Sequence, residues 1–206
     1  AASTDKNIYE ILFDGSNWQQ LTVGTLDNQA MHAVVGNGRN DGVMRVYGIS
    51  IDGLYEFTWN GSGWTGMRLG NTPGAHEIDI GPARNNGQSN LYIASISSGT
   101  FEVRYVSGSW VISNMGDSGD VRGLSLGVGR NDGLTRVYAA LLDGRVREFT
   151  WNGSNWTFTH LPSSGSQLIH SHVIQGRNDG VNRIYSSSSG GKVFEHSWDG
   201  SIWSVV

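Results

Sequence analysis

The sequence predicts an all-β chain, a five-bladed β-propeller of four-stranded antiparallel blades with one blade incomplete, and three repeated series carry that expectation. Trp18, Trp64, Trp110, Trp156 and Trp203 recur at spacings of 46, 46, 46 and 47 residues. Arg39, Arg84, Arg130 and Arg177 recur at 45, 46 and 47, in the loops GRNDG, ARNNG, GRNDG and GRNDG. Phe13, Trp59, Tyr105, Trp151 and Trp198 share the same period. A four-stranded unit repeating every 40 to 50 residues or so is the mark of a propeller blade.

Composition agrees with this class. Thirty glycines and eight tryptophans against 16% charged residues describe short aromatic strands joined by tight turns. The 206 residues suit one domain, with a partial unit 1–24 followed by units of about 25–70, 71–116, 117–162 and 163–206.

Each unit reads as strands A to D. In the unit 71–116 these are HEIDIG, LYIASIS, TFEVRYV and WVISNMG. All are short, alternate or nearly so, and end at turn residues. Asn-Asp-Gly between A and B, Asp-Gly between B and C, and Asn-Gly-Ser between C and D tolerate the positive φ of tight turns. The small residues Gly48, Ala94, Ala139, Ala140, Ser186 and Ser187 in strand B suit a crowded ring.

Strands C and D occur five times, strand A only four. Aligning AASTDKNIYEILFDGSNW with AALLDGRVREFTWNGSNW places the first residue inside a strand B. Either B is innermost and the last blade lacks an outer A strand, or A is innermost and the first blade lacks its inner strand. The first arrangement costs less, because an outer gap leaves an edge that water or a partner can cover. That seam is expected to be mobile or paired between molecules, a possible point of self-association.

The residues also exclude functions. A net charge of −4 with no basic run disfavours nucleic acid. No stretch reaches the ~18 apolar residues of a membrane span, so no membrane insertion is expected. There is no cysteine, hence no disulfide and no thiolate chemistry. No GxSxG, HExxH or phosphate-loop motif is present, and the chain is read as a non-enzyme without a cofactor. Asn60, Asn152 and Asn155 stand in glycosylation-acceptor triplets, which turn chemistry also explains.

Two family resemblances follow from particular residues. Asp5 and Lys6, Tyr9, Asn17 and Trp18, and Val23 and Gly24, in a five-unit chain that begins in strand B, resemble the tachylectin-2 type of five-bladed lectin. That resemblance implies a propeller that binds sugars. The loop GxGRNDGxxRVY resembles the inner loop of FG-GAP propeller repeats, which implies calcium. Here, though, each loop has one carboxylate at most (Asp41, Asp132, Asp179), Asn86 replaces it once, and Arg45, Arg136 and Arg183 stand where acids would be wanted. An Asp–Arg clamp across the hairpin is expected in place of a metal.

The candidate ligand-binding residues are two sets. Trp59, Tyr105, Trp151 and Trp198 offer aromatic faces for sugar C–H groups beside polar turns; core packing is the other use of such rings. His32, His76, Arg122 and His170 recur near the start of strand A, allowing a one-residue gap, as a ring for hydroxyl-bearing or anionic ligands or as hydrogen-bonding caps. The expected function is a multivalent, lectin-like module for glycans or glycoconjugates, extracellular or at a cell surface. The alternative is a structural or protein-interaction propeller, a fragment of a larger surface protein or an engineered repeat.

Overall fold

In the computed structural model, which describes residues 1–206, the repeat becomes eighteen β-strands and no helix. The partial first blade holds β1 (Asn7–Phe13) and β2 (Trp18–Thr25). The second holds β3 (Ala30–Gly36), β4 (Arg45–Ser50), β5 (Gly53–Trp59) and β6 (Trp64–Asn71). The third is β7 (Ala75–Gly81), β8 (Asn90–Ser95), β9 (Gly99–Val106) and β10 (Ser109–Asn114). The fourth is β11 (Val121–Gly127), β12 (Arg136–Leu141), β13 (Val146–Trp151) and β14 (Trp156–His160). The fifth is β15 (Leu168–Ile174), β16 (Arg183–Ser188), β17 (Val193–Trp198) and β18 (Trp203–Val205). Each full blade is an antiparallel meander in the order A, B, C, D.

The turns form as their residues require. Asn40, Asn85, Asn131 and Asn178 take φ of 53–57°, each two residues before a glycine that is also at positive φ. Asparagine tolerates this region better than most side chains. Asp41, Asp132 and Asp179 then clamp their hairpins through paired hydrogen bonds from Arg45, Arg136 and Arg183, with Nη–Oδ distances of 2.7–3.0 Å. The arginine holds each of the three carboxyls well below the usual range, Asp132 and Asp179 at about 2.

One expectation is corrected. Strand A, not B, is innermost: β3, β7, β11 and β15 pack on one another along the axis. The first blade is therefore the one that lacks inner strands, and the fifth has its A strand. The chain does begin inside strand B, since Ala2 bridges to Ile8 and Ala1 exchanges backbone hydrogen bonds with Tyr9. The glycines of strand A mark where the backbones crowd. A β-carbon on Gly123 would lie 2.7 Å from His170 Cα and 2.8 Å from Ile169 O.

The core is a set of slabs between blades. Tyr47, Ile49 and Leu54 of the second blade meet Ile78, Leu91 and Ile93 of the third. Equivalent slabs join the first blade to the second, the third to the fourth and the fourth to the fifth. Strands β4, β8 and β12 are consequently buried on both faces. In β16 the alternation reappears, with Ile184, Ser186 and Ser188 facing the fourth blade and Arg183, Tyr185 and Ser187 less covered. The ring of sheets is not closed.

The fifth blade also differs within its slab. At the position of Phe57, Val103 and Phe149 it carries His196, fully buried, with Nε2 2.9 Å from Ser186 Oγ. Burial pushes this imidazole down to about 4, against an ordinary 6.5. A base whose folded value is depressed takes up protons on unfolding, so its stability contribution is complete above pH 6.5 and is lost as pH falls toward 4. Between pH 6.5 and 5 the loss is about 2 kcal/mol, and His196→Phe should flatten that part of the profile in urea titrations. Gly123→Ala should lower stability by about 1–3 kcal/mol, because two of the three nearest atoms it meets are backbone and cannot rotate away; an unchanged urea midpoint would contradict the close inner packing.

Candidate functional site

Antiparallel order puts the A–B loops and the C–D turns at the same end of every blade. At that end, between the third and fourth blades, five side chains converge. Arg84 from the A–B loop donates from Nε to Glu102 Oε1 (2.7 Å) and from Nη2 to Oε2 (2.5 Å). Its guanidinium lies 3.6 Å from the ring centroid of Trp151 in the next blade, a cation–π geometry. Trp156, cross-strand partner of Trp151, donates from Nε1 to Glu102 Oε2 (3.2 Å). Asn90 Nδ2 reaches the same carboxylate at 3.1 Å.

The arrangement repeats. Between the second and third blades Arg39 bonds Glu56 and lies 4.8 Å over Tyr105, which pairs with Trp110. Between the fourth and fifth, Arg130 bonds Glu148 and lies 4.2 Å over Trp198, which pairs with Trp203. The glutamates are at most 2% exposed, while the arginines are partly open to solvent. The buried indole N–H groups of Trp110 and Trp203 have no acceptor. The cleft of the third and fourth blades, about 300 Å³, is lined by Arg84, Glu102, Asn114, Trp151, Asn155 and Trp156.

The polar turns beside the rings are built by their own side chains. Asn60 and Asn152 each accept two backbone N–H bonds through Oδ1, as Asp14 and Asp199 do in the first and fifth blades. In the third blade Ser107 and Gly108, both at positive φ, make the turn instead.

The two predicted sets of residues are not brought together. Tyr105, Trp151 and Trp198 stand in the three clefts, and Trp59 stands at the equivalent position without an arginine over it. His32, His76, Arg122 and His170 lie at the start of the inner strands, at the opposite end. They do not share one register either: each inner strand bulges there, His76 and Arg122 being the bulged residues and His32 and His170 the ones that follow. Three of them have local partners. His32 Nδ1 is 3.1 Å from Ile78 O, and Arg122 pairs with Asp120. Glu77 reaches past Gly123 to His170 (3.3 Å) and raises its basicity. His76 Nδ1 is buried without a partner.

Sequence reasoning missed Glu56, Glu102, Glu148 and Glu195 altogether. Their signal is present: each lies three residues before the aromatic series and shares its period, with Glu10 as the copy in the first blade.

No protein-family model matches the chain, and no curated protein matches it. Solved structures do. Sqt1 of Saccharomyces cerevisiae is similar with a TM-score of 0.64 at 12% identity, covering 99% of this chain and 57% of that one. BBS1N, in complex with ARL6DN, gives 0.61 at 15% identity over 84% and 55%. AofleA from Arthrobotrys oligospora gives 0.56 at 17% identity over 98% and 65%. These likenesses show the β-propeller fold. The chain spans between 55% and 65% of the length of these structures.

Removing the charge of a carboxylate that receives this many donors should be costly. Glu102→Gln is expected to lose about 2–3 kcal/mol, read as a lowered urea midpoint with an unchanged slope. A loss below about 0.5 kcal/mol, the scale of an ordinary surface change, would show that the carboxylate does not organise the cleft.

Proposed function

We propose that this propeller is a non-catalytic, carbohydrate-binding module of lectin type, with its sites in the clefts between blades at the A–B loop end. One observation carries the reading: the same Arg–Glu–aromatic–Trp constellation stands in three successive clefts. Sugar hydroxyls both donate and accept, and here the partly open guanidiniums can donate to them, held in place by buried carboxylates. Neighbouring rings provide the apolar contact for sugar C–H faces. Each cleft is shallow, and several on one rigid body raise avidity without new contacts. The likeness to tachylectin-2 lectins at Tyr9, Asn17 and Trp18 supports the same reading, and an extracellular or cell-surface setting goes with it.

A protein-interaction propeller is the second reading. BBS1N is seen in complex with ARL6DN, and this chain exposes Trp18 and Val193 at its two ends. An array of immobilised glycans separates the two. Wild-type protein is expected to be retained on a subset of glycans. The combined variant Arg39→Lys, Arg84→Lys, Arg130→Lys keeps the charge but loses the planar fork, and should bind at least about a hundredfold more weakly. Retention of nothing on the array, or equal retention of the variant, would sink the carbohydrate reading.

A further inference from the structure

Three of the four interior interfaces, all but that of the first and second blades, use the same two aromatic contacts. The strand-B tyrosine of one blade meets the strand-D tryptophan of the next edge to face: Tyr47 with Trp110, Tyr92 with Trp156, Tyr138 with Trp203, at 5.8–6.2 Å between centroids. The A–B loop arginine of one blade covers the strand-C aromatic of the next, as described above. One half of each contact is left over at each end of the arc. The fifth blade presents Tyr185 and the Arg177–Glu195 pair, the arginine side chain 57% exposed. The first blade presents Phe13 and Trp18, 56% and 72% exposed.

Aliphatic residues follow the same division. Val193 is 69% exposed, whereas Leu54, Thr100 and Val146 at its position are fully buried. The last residue of strand A is more telling. It is Gly36, Gly81 and Gly127 in the second to fourth blades, where an added β-carbon would meet Ile80, Leu126 and Val173 of the following inner strand at 2.6, 3.5 and 2.5 Å. In the fifth blade it is Ile174, half exposed.

We propose that the fifth blade of one copy of this chain docks on the first blade of a second copy, head to tail. Arg177 then covers the second copy's Phe13 as Arg39 covers Tyr105, and Trp18 meets Tyr185 as Trp110 meets Tyr47, while the exposed Ile174 is covered. The contact is heterologous, so each copy keeps one free end and assembly continues until a ring closes or a filament forms. It also completes a fourth cleft, with Arg177 and Glu195 from one copy and the ring pair from the other; only that consequence rests on the carbohydrate reading.

The test is light scattering in sugar-free buffer, which a failure of glycan binding leaves untouched. Wild-type mass should rise above one chain across roughly a hundredfold range of concentration. Trp18→Glu blocks the head and Val193→Glu blocks the tail; both positions are exposed in the single chain, so each variant should fold and run at the mass of one chain. An equimolar mixture should form a two-chain complex and stop there, because one sound head remains for one sound tail. Wild type that stays at one chain, variants that still associate alone, or a mixture that does not pair would overturn the proposal.

Discussion

The structure depends on burial between blades. A four-stranded meander has two apolar faces and cannot cover either by itself, so each blade is stable only against its neighbours. Tyr47, Tyr92 and Tyr138, each fully buried, carry this most clearly, since sheltering a side chain of that size is worth about 1.5–3 kcal/mol. Strand B of the second, third and fourth blades lies in the middle of this arrangement and is buried on both faces. The tight axis follows from the same packing, and with it the glycines of strand A and the reach of Glu77 past Gly123 to His170.

Much of this was legible in the sequence because period and turn chemistry are local. The 46-residue spacing of the tryptophans gave the blades, and Asn-Asp-Gly with an arginine four residues after the aspartate gave the clamped hairpin. The phase was not legible by the same means. Whether A or B is innermost depends on backbone approach between units far apart in the chain, and only Gly36, Gly81, Gly123 and Gly127 report on it. The site was half legible for a similar reason. Aromatic residues advertise themselves, but Glu102 matters through an arginine 18 residues earlier and an indole 54 residues later. The histidine and arginine set lies at the start of the inner strands as the repeat places it, and the one-residue gap within it is a bulge in each of those strands.

The same interface also supplies the chemistry. Packing one blade on the next brings the A–B loop of the first against the C–D turn of the second, and the Arg–Glu pair is placed under an aromatic ring as a result. On the carbohydrate reading, binding and stability share residues at each cleft, and an open arc has both unfinished clefts and uncovered faces at its ends. Tyr185 and Trp18 are the two halves of a contact that the interior makes three times.

Amide hydrogen exchange measures blade-to-blade burial directly, because protection reports the local opening of each strand. The account predicts the slowest exchange in β8 and β12, which are covered on both faces, with protection falling through β16 to β18 at one end and in β1 and β2 at the other in dilute solution. Protection equal in all five blades at concentrations where the chain is alone would contradict it, since each blade would then be stable without neighbours on both sides.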